Sequence, residues 1–131
     1  MTELLTITRT EGPVLILYLA GRLDAQTQAK LLDTARLEQA AGTRFLLVDL
    51  QGVEMITSAG LGAFHNIYKL FTPRAEVDAW EKEKHDDIYK SPYFKLAGAS
   101  GNVYYVLNIS GFLHNIPIYP GVEDALSSFP V

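Results

Sequence analysis

The 131-residue sequence contains no cysteine, only one tryptophan and no long uncharged apolar run. The absence of cysteine excludes disulfides, thiolate-held metal centres and cysteine nucleophiles, and it fits a reducing cytosol. No apolar stretch approaches the roughly 18 residues that a membrane helix requires, so we predict no membrane insertion. The start, Met1-Thr2-Glu3-Leu4, lacks the basic and then apolar order of a signal peptide. We therefore expect a cytoplasmic protein.

Positive charge is also scarce, because 11 Lys and Arg face 15 Asp and Glu, for a net charge of −4. A mildly acidic chain is a poor candidate for binding nucleic acid through phosphates, or anionic lipid. The histidines, His65, His85 and His114, form no His-x-x-x-His pair, so we expect no metal site. Gly60-Leu61-Gly62 is not followed by Gly-Lys-Ser/Thr and is no phosphate-binding P-loop. We expect no cofactor.

The hydrophobic content of 48% and the length are typical of one domain spanning 1–131. Two apolar runs, 14–19 and 45–50, are typical of strands covered on both faces. A helical pattern lies between them and ends before Gly42, which predicts a parallel crossover.

The hydrophobic pattern and the turn residues predict the remaining elements. In chain order the prediction is strand 3–9, strand 14–19, helix 24–41, strand 45–50, loop 51–57, helix 58–71, strand 93–97, a helix from 101–102 closed by Gly111, strand 116–119 and helix 122–129. This order predicts an α/β fold with a mostly parallel sheet, an N-terminal hairpin and about four helices.

Asp24 is the predicted N-cap of the first helix. Thr27 holds the third helical position, where a capping box has Glu or Gln, so the prediction rests on Asp24 alone. The residues predicted to face the core are Leu31, Leu32, Ala35 and Leu37.

Residues 73–92 differ in character from the rest of the chain. They carry six acidic and four basic residues, the single Trp80, and a proline at each end. The charge run favours a solvated segment, and we expect an exposed helical excursion or a mobile loop. Trp80 and Tyr89, with Tyr104 and Tyr105, could instead form an exposed aromatic patch that marks an interface.

The most informative stretch places a hydroxyl, Ser58, at the start of a helix. First-turn amides lack internal partners and the helix dipole is positive there, so this position tolerates a phosphate. Gly60 and Gly62 each weaken the first turn by up to about 1 kcal/mol, and they let another protein approach closely. The structural alternative is that Ser58 is only a helix cap, worth about 1 kcal/mol. Ile56 replaces the first glycine of the Gly-x-Ser-x-Gly hydrolase elbow, which argues against a serine hydrolase.

Several motifs in order resemble the STAS domains of bacterial anti-sigma factor antagonists. The resemblance covers the chain except about residues 73–92. The matching stretches are Gly21-Arg22-Leu23-Asp24, Leu47-Val48-Asp49-Leu50-Gln51-Gly52-Val53, Ile56-Thr57-Ser58-Ala59-Gly60-Leu61-Gly62, Ile109-Ser110-Gly111-Phe112 with Ile116-Pro117-Ile118-Tyr119, and Val122-Glu123-Asp124-Ala125-Leu126.

The resemblance implies a regulatory, non-enzymatic role in partner switching. In the family, an anti-sigma factor that is also a serine kinase binds the unmodified antagonist and phosphorylates the serine that follows the signature Asp. The complex then dissociates, and a phosphatase resets the switch. The phosphoacceptor position is Ser58 here. The implied partner-binding residues are Asp24, Thr57, Ala59, Gly60, Leu61 and Gly62.

Two departures from the family pattern leave alternatives open. Thr57 stands where the family has Asp, which weakens kinase recognition or makes Thr57 a second acceptor, and Ala59 replaces a second hydroxyl residue. Most of residues 73–92 is extra and could cover a partner surface or form a homodimer contact. A STAS scaffold that is never phosphorylated, in a signalling or transporter assembly, is the alternative function. A small hydrolase using Ser58 is the third.

Overall fold

The computed structural model describes residues 4–83, 85–111 and 114–131. Glu3 of the predicted first strand, Phe112 of the late motif and Lys84 of the 73–92 segment lie outside these ranges. The elements in chain order are β1 (Leu4–Glu11), β2 (Val14–Leu23), α1 (Gln28–Ala40), β3 (Phe45–Ile56), α2 (Ser58–Phe71), α3 (Arg74–Lys82), β4 (Phe94–Ala97), α4 (Gly101–Ile109), β5 (Ile118–Tyr119) and α5 (Val122–Ser128).

The strands form one five-stranded sheet in the order β1-β2-β3-β4-β5. β1 pairs with β2 as an antiparallel hairpin, and every later neighbour is parallel. The predicted α/β fold, with its N-terminal hairpin and mostly parallel sheet, is confirmed. The described helices number five rather than about four, because residues 73–92 contribute α3.

The core has two parts, one on each face of the sheet. The larger cluster packs the sheet against α1, α2, α3 and α4. The smaller one packs Val122 and Ala125 of α5, with Phe129 directly after it, against Val14 and Ile16 of β2 and neighbouring residues. The predicted inward positions of α2 are all buried, namely Leu61, Phe64, Tyr68 and Phe71.

The predicted loop 51–57 is wrong for most of its length, because β3 continues to Ile56. Two register shifts against β2 each place an extra residue in β3. As a result the buried side chains of this half, Leu50, Val53 and Ile56, recur every three residues instead of every two. That spacing hides the strand from a search for simple alternation.

The first helix begins later than predicted. Asp24 initiates a turn, and α1 starts at Gln28, with Thr27 at the N-cap position and no side-chain capping bond. Leu31 and Ala35 face the core as predicted, but Leu37 is 71% exposed. Six residues at 100° each carry Leu37 about 240° around the helix from Leu31, which places it on the solvent side.

The 73–92 segment forms a helix and most of its described residues are exposed, as in the predicted helical excursion, but a few of its residues also pack on the domain. α3 buries Val77, and the following coil buries Tyr89, both within the larger core cluster. Trp80 stacks on the His85 ring with centroids 3.8 Å apart and meets Tyr89 edge-on at 5.6 Å. Trp80 and Tyr89 therefore serve packing, whereas Tyr104 and Tyr105 of α4 are exposed.

Candidate functional site

Ser58 lies at the edge of the sheet where the parallel strands end. β2 ends at Leu23 and β3 at Ile56, and α2 begins immediately beyond Thr57. The backbone N–H of Thr57 donates a 3.0 Å hydrogen bond to the carbonyl of Leu23, which ties the start of α2 to β2. Ligands and partners of open α/β sheets commonly approach at this edge.

The Ser58 side chain is exposed and occupies the first helical position of α2. Among the residues that the structure describes, its hydroxyl has no hydrogen-bond partner. The N-cap position belongs to Thr57, so the reading of Ser58 as only a helix cap is wrong. The hydroxyl faces solvent next to first-turn amides that lack helical partners.

Thr57, the runner-up acceptor, is placed differently. Its Oγ1 is shielded from solvent and has no hydrogen-bond partner within the described ranges. The N-cap geometry of Thr57 is extended, yet its side chain makes no capping bond. Of the two adjacent hydroxyls, the structure exposes that of Ser58.

The glycines of the signature have unequal surroundings. A Cβ on Gly60 would lie 2.8 Å from Leu23 Cγ and 2.8 Å from the Leu23 carbonyl oxygen, so this glycine permits close packing of α2 on β2. Gly60 and Leu61 are buried. Gly62 has open space where a Cβ would be, and Ala59 is half-buried. The surface that a partner can reach therefore includes Ala59 and Gly62, whereas Gly60 and Leu61 support it from within.

Asp24 lies after β2 at the same edge and is half-buried. Its Oδ1 accepts the backbone N–H of Gln26 at 3.0 Å and of Thr27 at 3.2 Å. The Thr27 hydroxyl in turn donates to the carbonyl of Arg22 at 2.7 Å. Asp24 therefore shapes the turn before α1, and its contact with a partner stays a prediction.

Sequence reasoning missed Arg22 as a feature of this edge. Arg22 pairs with Met55 across β2 and β3, and its exposed guanidinium donates to the Met55 Sδ at 3.4 Å. A thioether is a weak acceptor. Within the described ranges Arg22 has no carboxylate partner. The sequence separation of 33 between Arg22 and Met55 explains why no local pattern reveals the pair.

The described residues assemble no catalytic or metal centre around Ser58. No acid or base among the described residues hydrogen-bonds Ser58, so the nucleophile–base pair of a serine hydrolase is not assembled there. The described ranges also contain no group of three or more His, Asp or Glu placed to hold a metal ion. Within those ranges no helix combines the length and the hydropathy needed to cross a bilayer.

Comparison with known proteins identifies the family. The model of the STAS domain matches residues 6–77. Among solved structures, an anti-sigma factor antagonist from Mycobacterium paratuberculosis has a TM-score of 0.74 at 22% identity, covering 98% of this chain and 95% of its own. A putative anti-sigma factor antagonist from Thermotoga maritima has a TM-score of 0.71 at 18% identity, covering 96% and 95%.

A third similar structure is the Bacillus cell fate determinant SpoIIAA in its phosphorylated form. It has a TM-score of 0.59 at 12% identity, covering 94% of this chain and 97% of its own. At these identities the likeness shows the fold alone. No curated protein matches the sequence significantly.

Proposed function

Since the chain belongs to the STAS domain family, we propose that it is an anti-sigma factor antagonist that a serine kinase switches by phosphorylating Ser58. In its unmodified form the chain binds an anti-sigma factor that is also the kinase. Phosphorylation releases that partner, and a phosphatase restores the binding form.

The exposure of Ser58 carries this proposal. Its hydroxyl is free and lies at the open edge of the sheet, whereas the neighbouring Thr57 hydroxyl is shielded. A kinase needs an acceptor that can enter its active site without unfolding the substrate, and Ser58 meets that requirement. The phosphorylated SpoIIAA among the similar structures supports a modification on this fold.

The charge change is large enough to switch partners. A phosphoserine adds about −1.5 to −2 charge at neutral pH. The amino end of α2 accommodates that charge in the free antagonist. A partner surface fitted to a neutral hydroxyl meets a charge that it must desolvate, and each ~1.4 kcal/mol of penalty weakens binding about tenfold.

Intact-mass measurement and phosphosite mapping on the chain from its native cells test the assignment. We expect one phosphoryl group on Ser58 in some growth states. Ser58→Ala abolishes it, whereas Ser127→Ala, which removes an exposed serine on α5, does not. Ser58→Asp weakens capture of the kinase at least about tenfold. Normal modification and release of Ser58→Ala by the cognate kinase would contradict the proposal.

A scaffold that is never phosphorylated is the second candidate, favoured by Thr57 in the place of the signature Asp. A mass measurement and a capture experiment together distinguish the two functions. An unmodified mass in every growth state, together with stable capture of the same partners by Ser58→Ala and Ser58→Asp, would favour the scaffold.

A further inference from the structure

A cationic cleft lies at the end of α2 opposite to Ser58. Its volume is about 300 Å³, and it is bounded by the end of α1, the end of α2 and the start of α3. Three cations line it, namely Arg44, Lys69 and Arg74. Because the 14 residues of α2 span about 21 Å, the cleft is separate from the Ser58 surface.

The charge of this cleft is opposite to that of the chain. The chain carries a net charge of −4, yet no Asp or Glu lines the cleft. Three carboxylates contact lining residues from outside that lining, namely Glu38 on Thr43, Glu76 on Tyr93 and Asp78 on Arg74. Arg74 Nε pairs with Asp78 at 3.1 Å, which leaves the terminal nitrogens of Arg74 available. Lys69 forms no ion pair within the described part of the chain.

The exposed Arg44 guanidinium lies within cation–π distance of two aromatic rings. Its Cζ lies 5.7 Å from the Phe45 ring centroid and 5.8 Å from that of Tyr93. The Tyr93 hydroxyl is itself fixed, because it donates to Glu76 at 2.6 Å. A planar guanidinium that contacts rings loses less freedom when it binds an anion.

We propose that this cleft binds the phosphate group of a small phosphomonoester. Arginine and lysine around a concave surface make charge-assisted hydrogen bonds to phosphate oxygens, with arginine binding them in pairs. Gln39 lines the same cleft and adds a neutral donor, whereas the Thr43 hydroxyl donates to Glu38 at 3.5 Å. A cleft of this volume accommodates a small organic molecule beyond the phosphate itself.

The competing explanation is electrostatic compensation of helix ends. α2 ends at Phe71, and a cation in its last turn, Lys69, stabilises its terminal carbonyls without any ligand. That role predicts a loss of thermal stability in Lys69→Gln. It predicts no specific response to phosphate.

An NMR titration of the full chain separates the two explanations. Inorganic phosphate and glycerol 3-phosphate are the probes, added at constant ionic strength against chloride. We expect saturable shifts of the amides of residues 43–44, 69–72 and 74, stronger with glycerol 3-phosphate. Arg44→Gln and Lys69→Gln each raise the dissociation constant about tenfold or more, and Arg44→Lys raises it less than Arg44→Gln.

The matched control is Arg36→Gln, which removes an exposed arginine of α1 outside the cleft. It leaves the phosphate dissociation constant unchanged. Any one of three results overturns the proposal: linear, unsaturable shifts in the wild type, equal weakening in Arg36→Gln, or a lower Tm in Lys69→Gln with an unchanged dissociation constant. Because no step involves Ser58, failure here leaves the kinase switch untouched.

Discussion

Thr72 Oγ1 and Ser91 Oγ lie 2.8 Å apart in a buried hydrogen bond that joins the two ends of the 73–92 segment. Ser91 Oγ also accepts the backbone N–H of Tyr93 at 3.1 Å and of Phe94 at 3.3 Å. With both acceptor positions of Ser91 occupied, its proton goes to Thr72. The additional segment is therefore fastened to the domain at its base.

Ser91→Ala should destabilise the fold more than Thr72→Val. The first change leaves two backbone N–H groups and the Thr72 hydroxyl without their partner, and the second removes only the acceptor of Ser91. We expect losses of about 3 and about 1 kcal/mol in the free energy of unfolding. Urea denaturation measures both. Equal losses would mean that Ser91 does not organise this junction.

Gly60→Ala and Gly62→Ala form a matched pair on one helix. The Cβ at position 60 would meet Leu23 and Ile56 below 3.0 Å, so α2 must move away from the sheet, whereas position 62 faces open space. We expect Gly60→Ala to lower the unfolding free energy by about 1–3 kcal/mol. Gly62→Ala should raise it by up to about 1 kcal/mol through helix propensity. Chemical denaturation of both variants gives the signs.

Thr57→Val tests the shielded hydroxyl next to Ser58. The Oγ1 of Thr57 has no partner within the described ranges, so an isosteric methyl removes a buried polar atom without breaking a hydrogen bond. We expect stability to be unchanged or raised by about 1 kcal/mol, the opposite sign to Thr72→Val. Phosphorylation by the cognate kinase should persist in Thr57→Val. Loss of the phosphoryl group there, together with mapping of the wild-type phosphosite to Thr57, would make Thr57 the acceptor.

The raised pKa of Tyr89 leads us to expect a change in the stability of the fold at high pH. Burial, reinforced by the negative charge of Glu76, raises the pKa of Tyr89 from 10.0 to about 12. The unfolded chain then loses the phenolic proton first, so this contribution to stability is present below pH 10 and is lost as the pH rises through about 12. Tyr89→Phe should show a smaller loss of unfolding free energy over that interval. Tyr105→Phe, at an exposed position of α4, should behave as the wild type.

The sequence predicts the sheet and α2 well because their apolar residues recur with regular spacing. Strand 45–50 and helix 58–71 are found within their observed elements. The second half of β3 is missed because its bulges break the alternation, and the packing of α3 on the domain is missed because its charges outnumber the one buried Val77. In such a segment, one face that contacts the domain decides whether the helix packs, even where the charged composition favours solvent.

The local sequence also predicts which residues form much of the candidate site, but it does not predict which of their side chains are exposed to solvent. The order Thr57-Ser58 at a helix start follows from the chain. Which of the two hydroxyls is shielded depends on how α2 sits against the end of β2, through the Thr57–Leu23 hydrogen bond and the close approach at Gly60. The pairing of Arg22 with Met55 depends on strand register across the same junction.

The two register shifts in β3 also determine how the chain tolerates changes in length. Between the pairs Tyr18–Asp49 and Ala20–Gly52, β3 carries one residue more than β2, and it gains another before Arg22–Met55. Losing a single residue at Gln51 or at Glu54 restores ordinary alternation and keeps Val53 and Ile56 facing inward. A comparable deletion in the regular stretch 45–49 would turn the following side chains to the wrong face. The stretch leading to Ser58 is thus where evolution can shorten the strand without disturbing the register downstream.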